Sequence, residues 1–271
     1  MNDVAREGRA QRLRTMQKDL AAEQQALGDV VASITDQQWR SPTPSAGWNV
    51  ADQIGHLAYF DASAALAILD PKRFQSDVDE LYRVAVSENL DDFTLAPLRA
   101  LSPEQLLWTW RANGATLLNA AASLHEDTRI AWYGPSMGAV SFLGARLMET
   151  WAHGTDVVDA LGVSRPATDR LEHIARLGIM TRNWSYRVRG EAPPDGVVGV
   201  ELTSPSGDLW SWGDEADDTV RGSAEEFCLV VTQRRHVDDT SLETGELGRH
   251  WLVRAQAFAG GPSDGPPPRS D

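Results

Sequence analysis

The chain has 271 residues, 42% hydrophobic and 24% charged, enough for one large domain or two modest ones around a buried core. Its formal net charge of −14 argues against nucleic acid and anionic membrane surfaces as partners, because both are met by basic patches. A single cysteine, Cys228, excludes an internal disulfide framework, a cysteine-rich zinc site and a CxxC redox motif, and its apolar neighbours Phe227, Leu229, Val230 and Val231 mark it as a core thiol. No apolar run approaches the roughly 18 residues of a membrane span, and the opening MNDVAREGRAQRLR lacks an apolar signal core, so a cytoplasmic protein is expected.

The first two thirds of the chain read as helices. Leu13, Met16, Leu20, Leu27, Val30, Val31 and Ile34 recur at helical spacing over about 12–34, behind roughly ten residues expected to be disordered. SPTPSAG at 41–47 is a loop by composition. Asn49 followed by Asp52 marks a helix start, and Asp70-Pro71 its end. A weaker helix is expected over 76–89. Ser102-Pro103-Glu104-Gln105 is a strong start signal for a helix reaching about His125. Further helices are expected over 139–161, closed by Gly162, and over 168–188. At Gly190 the character changes. VVGVELT at 197–203 and DLWSWG at 208–213, joined by Ser-Pro-Ser-Gly, read as a β-hairpin. Short helices follow over about 223–235 and 246–258. The expected organisation is therefore a helical bundle over 1–189, a small α/β domain over 190–258 and a disordered tail over 259–271.

Glu149 and His153 lie four residues apart on one expected helix, so they share a face. Such a pair is either an ordinary helix-surface pair or half of a metal site. His56, on a separate helix, is the best third ligand. Two imidazoles and one carboxylate form a ligand set used by catalytic zinc, with a fourth position left for water or substrate. Asp156 follows His153 by three residues and Asp52 precedes His56 by one turn, so either is a candidate to accept the second N–H of a ligating imidazole. Trp39, Trp132 and Trp151 flank the candidate site in sequence and are candidate pocket walls.

These residues resemble a known family. Trp48-x3-Asp52-x3-His56-Leu57 is similar to the first-helix motif of the DinB-like four-helix-bundle superfamily. Ala145-Arg-Leu-Met-Glu149-Thr-Trp-Ala-His153-Gly-Thr-Asp156-Val is similar to the second metal motif of its actinobacterial branch, which includes mycothiol-dependent maleylpyruvate isomerase and related metal-binding proteins. Trp212-Gly213, Thr219-Val220-Arg221-Gly222-Ser223-Ala224 and Thr244-Gly245 resemble the small C-terminal domain of that isomerase, so the likeness spans about 13–258.

The resemblance implies an up-down bundle with a divalent ion held by His56, Glu149 and His153. Zinc is preferred, and nickel or iron also suit the ligands. It further implies mycothiol or another small thiol as cosubstrate, with Arg234 as a clamp for a substrate carboxylate and Arg235 as its neighbouring alternative. A thiol of this kind would add across a conjugated cis double bond, allow rotation and be expelled from an isomerised product, or stay attached in a transferase. A metal-dependent hydrolase and a non-catalytic metal or ligand binder are the alternatives.

Gly134-Pro135-Ser136-Met137-Gly138 also matches the G-x-S-x-G nucleophile elbow. That motif needs preceding parallel strands, whereas helices precede it here, and Pro135 stands directly before the serine. A turn entering the Glu149 helix is the better expectation.

Overall fold

The computed structural model describes residues 3–85 and 90–269. The chain divides into two compact units, Met1–Ser164 and Arg165–Asp271. This division falls ahead of position 189: the helices after Thr168 group with the C-terminal unit.

The first unit is helical. It contains α1 (Asp3–Ala32), α2 (Val50–Leu69), α3 (Pro71–Ala85), α4 (Leu90–Arg99), α5 (Pro103–Ala121) and α6 (Ala139–Leu161). Four of these make the bundle: α2 and α1 each pack against both α5 and α6. Leu20, Leu27, Ile54, Leu57, Leu117, Leu143 and Leu147 supply fully buried side chains from all four helices. Such burial stabilises each by about 1.5–3 kcal/mol and gives the helices a face to pack.

Local signals explain the boundaries. Asn49 and Asp52 form a capping box, with the Asn49 side chain accepting from Asp52 N at 2.9 Å and Asp52 Oδ2 accepting from Asn49 N at 3.1 Å. Ser102 and Gln105 repeat the device on α5, with Pro103 in its first turn. Gly162 adopts φ 65° and closes α6 where a left-handed residue is required.

Several elements differ from expectation. α1 begins at Asp3, inside the segment expected to be disordered. The helix expected over 76–89 starts earlier, at Pro71, and positions 86–89 lie outside the described residues. α4 was not foreseen, because Pro97 sits inside it. Packing outweighs that propensity cost: Leu95 is buried, and its Cδ2 would lie 3.3 Å from a Cβ at Gly55, so glycine lets α4 approach α2 beside His56. The G-x-S-x-G segment closes a small antiparallel pair, β1 (Arg129–Ile130) with β2 (Met137–Gly138), which leads directly into α6. The Ser136 hydroxyl accepts from Arg129 Nε at 3.1 Å. It stands in a turn, and among the described residues of the first unit the only strand pair is this antiparallel one.

The second unit holds α7 (Leu171–Met180), α8 (Arg182–Arg187), β3 (Val198–Thr203), β4 (Leu209–Trp212), β5 (Asp218–Ser223), α9 (Ala224–Val231) and α10 (Glu246–Leu252). The single helix expected over 168–188 is broken at Thr181, whose hydroxyl bonds the carbonyls of Leu177 and Gly178 at 2.8 and 3.0 Å. The expected hairpin forms as β3 against β4, with Val200 opposite Trp212. β5 pairs parallel to β3 on its other side, giving the order β4-β3-β5. That strand was missed because Val220 is its only buried apolar residue. Cys228 is fully buried on α9, its thiol donating to Leu171 O at 3.5 Å, and burial pushes the thiol pKa far up. Among the described residues, 259–269 have no regular structure, yet Ser263 is bonded to Gln256 and Gln233. No described helix is long and apolar enough to cross a membrane.

Candidate metal centre

α2 and α6 carry the site, and a buried network aligns them. Asp61 on α2 is fully buried. Its Oδ1 accepts from Arg146 Nε and Nη2 of α6 at 3.1 and 2.9 Å, and its Oδ2 accepts from Gln24 of α1 at 3.0 Å and Trp110 of α5 at 3.1 Å. One carboxylate therefore binds all four bundle helices and fixes their register. Burial pushes its pKa above the ordinary value, against the pull of the Arg146 guanidinium and the hydrogen bonds.

One turn or so along the same helices, His56, Glu149 and His153 converge. Each offers one ligand atom, and the three atoms lie within 4.8 Å of one another. Glu149 Oε2 is 3.1 Å from His153 Nε2 and 3.7 Å from His56 Nε2. Ligand atoms at 2.0–2.1 Å around a tetrahedral ion are separated by about 3.3 Å, and the observed spacings bracket that value. Burial disfavours the Glu149 charge, but hydrogen bonds and charge from His153 and His56 outweigh it and hold the carboxyl well below the usual range. His56 and Glu149 keep side-chain exposures of 20% and 23%, so the cluster opens on one side.

The second nitrogen of His153 is held across the bundle. His153 Nδ1 lies 2.5 Å from Gln53 Oε1, and Gln53 Nε2 donates to Thr43 Oγ1 at 2.9 Å. Gln53 takes the part at this nitrogen that the two aspartates were expected to take. Asp52 is committed to its capping box and to Arg99, whose Nε donates to Oδ1 at 2.7 Å, while Asp156 accepts from Ser45 Oγ at 3.1 Å. Helical spacing finds residues on one helix face, but the acceptor that reaches Nδ1 comes from the facing helix.

The walls also differ from expectation. Trp48 stacks on His153 with ring centroids 5.9 Å apart and tilts against His56 at 5.2 Å, its Nε1 pinned by Asp91 at 2.7 Å. Phe60 lies 4.6 Å from the His56 ring. Trp132 stands one ring farther out, 6.4 Å from Phe60, and Trp39 belongs to the apolar core with Leu27 and Ile54. Trp151 is buried on α6. Trp48 and Phe60 were visible as the residue heading the first motif and the residue one turn after His56, which is the signal that could have found them. In the second unit, Arg234 Nη1 donates to Thr232 O at 2.7 Å, and Arg235 donates to Arg234 O.

Residues 20–158 match the family model described as the mycothiol maleylpyruvate isomerase N-terminal domain. The chain belongs to this family. Uncharacterized proteins of Mycobacterium tuberculosis, from strains CDC 1551 / Oshkosh and ATCC 25618 / H37Rv, are each 45% identical over 251 residues, covering 91% of this chain and 96% of the relative. The crystal structure of the mycothiol-dependent maleylpyruvate isomerase superposes with a TM-score of 0.55 at 17% identity, over 82% of this chain and 89% of that one. A histidine-to-alanine mutant of the isomerase gives the same TM-score at 16% identity. At these identities the likeness establishes the fold: a helical bundle followed by a small α/β unit.

Proposed function

We propose that this family member is a divalent-metal enzyme that uses a small thiol of the mycothiol class to isomerise a small electrophile or to form a released S-adduct with it. The observation that carries the reading is the convergence of three ligand atoms at an open site. With Nδ1 of His153 facing an acceptor, its Nε2 lies 3.1 Å from Glu149 Oε2, a contact met by a shared proton in the metal-free protein and open to a metal ion in its place. Two imidazoles and one carboxylate fit a divalent ion, zinc before nickel or iron. Such an ion, when bound, lowers the pKa of a thiol or water that joins it.

The chain's own residues do the rest. Glu149 brings one negative charge, so the occupied site stays net positive. Trp48 and Phe60 shield the imidazoles from water. The buried Cys228 offers no nucleophile, so the sulfur must come from outside. Arg234 is the proposed clamp for a substrate carboxylate, a role suited to its bidentate guanidinium.

The test begins with metal content. Wild-type protein should hold about one divalent ion per chain, and His153→Ala should lose most of it. Cobalt-loaded protein titrated with mycothiol or cysteine should develop a near-ultraviolet sulfur-to-metal band, and turnover should require metal and thiol together. The same ligand set serves hydrolytic zinc enzymes, so a second reading is hydrolysis; turnover in thiol-free buffer without the band would select it. Full metal content in His153→Ala would reject the site.

A further inference from the structure

We propose that Gln53 is a positioning residue that fixes the His153 proton on Nδ1, so that Nε2 is the nitrogen turned toward Glu149 and the ion. This deepens the metal reading and rests on it.

One chain of hydrogen bonds leads to His153, and its direction is forced at its far end. Trp48 C=O can only accept. Thr43 Oγ1 lies 3.0 Å from it and so commits its single proton there. The Thr43 oxygen then accepts from its next neighbour, the Gln53 side chain at 2.9 Å, so the atom facing Thr43 is the amide nitrogen. That settles which way the amide points. Its oxygen must face His153, where it lies 2.5 Å from Nδ1. An amide oxygen cannot donate, so Nδ1 carries the proton. Thr43 is itself fixed, because its backbone N–H also donates to Trp48 O at 2.9 Å. The residue whose carbonyl anchors this relay is the one whose ring stacks on His153, so a single loop sets both the tilt and the tautomer of the imidazole.

The choice of an amide has a consequence. A carboxylate acceptor would raise the basicity of the imidazole and add negative charge beside the ion. Gln53 orients without adding charge, and Glu149 remains the only anion among the three ligands.

The experiment uses the full-length protein with zinc as probe. Zinc affinity is measured by chelator competition, and the His153 ring protons are followed in 15N-histidine-labelled protein. Wild type should show a His153 Nδ1–H protected from solvent exchange. Gln53→Leu should lose that protection and bind zinc roughly 10–100-fold more weakly, the usual cost of removing such a partner. Gln53→Glu restores an acceptor and should keep the protected proton and tight binding. Thr43→Val frees the amide to turn and should weaken binding in the same direction by less. A leucine variant with wild-type affinity and a protected Nδ1–H would overturn the proposal. So would a glutamate variant that fails to rescue, and these last two variants decide the matter if Gln53→Leu does not fold. Wild-type protein that binds no zinc would defeat the metal reading, whereas the protected Nδ1–H can be read in metal-free protein as well.

Discussion

Two charged clusters lie next to each other on α2 and α6, and they are built on opposite rules. Around Asp61, four donors answer one buried carboxylate from Arg146, Gln24 and Trp110. Around Glu149, two imidazole nitrogens and a carboxylate oxygen converge on a common spot that opens to solvent. The first cluster is electrostatically complete and joins four helices. The second converges on a spot with room for a cation. A polar group that the fold has fully answered serves structure, and a convergence that the fold leaves unanswered marks chemistry.

The largest expected effect comes from breaking the complete cluster. Arg146→Leu strands the Asp61 charge in the core and should cost about 3–5 kcal/mol of unfolding free energy, read by urea titration. The double replacement Asp61→Leu with Arg146→Leu should recover most of that loss, because no uncompensated charge remains. If the single and double variants are equally unstable, packing and not charge holds this layer.

The contrast also explains what the sequence made legible. For the open cluster, helical spacing offered Glu149 and His153 as a pair without deciding between a surface pair and a metal site, and the resemblance of the two motifs joined them to His56. The complete cluster left no such trace: Gln24, Asp61, Trp110 and Arg146 come from four helices, and no spacing rule links them. Gln53 escaped for the same reason, since it reaches His153 from the facing helix, while Asp52, which satisfied the spacing argument, is committed to its cap and to Arg99. Boundaries behaved alike. α6 was placed at both ends because Gly162 stops it locally, and α2 because Asn49 and Asp52 start it locally. α4 and β5 depend on partners far along the chain, Gly55 and β3, and local propensity spoke against the first and said little of the second.

A smaller effect should come from completing the open cluster. A ligand that binds only the folded state stabilises it by about 2.7 kcal/mol at 100 times its Kd. Zinc should therefore raise the melting temperature of wild type and of Trp110→Phe alike, since Trp110 serves the other cluster. It should do little for Glu149→Gln, which lacks the anionic ligand. A zinc-dependent rise that survives Glu149→Gln would mean that the stabilising ion sits elsewhere.

The smallest effect concerns Glu149 in the metal-free protein, where its pKa is held well below the ordinary 4.5 by His153 and His56 in spite of burial. Its sign follows from linkage. A carboxyl whose pKa is depressed by folding is protonated first in the unfolded chain as pH falls. Its contribution is complete above the unfolded value and is lost as pH drops through the folded one. Asp61 runs the other way: its pKa is raised on folding, so its contribution is complete below the unfolded value and is lost as pH climbs through the folded one. Because Glu149 is partly exposed, solvent screening trims its share. Unfolding free energies of metal-free wild type and Glu149→Gln, measured from neutral pH downward, should run parallel above the ordinary carboxylate range and converge below it. Curves that stay parallel throughout would mean that the imidazoles do not hold the Glu149 charge in the folded protein, and the distinction between an answered and an unanswered carboxylate would then have to be redrawn.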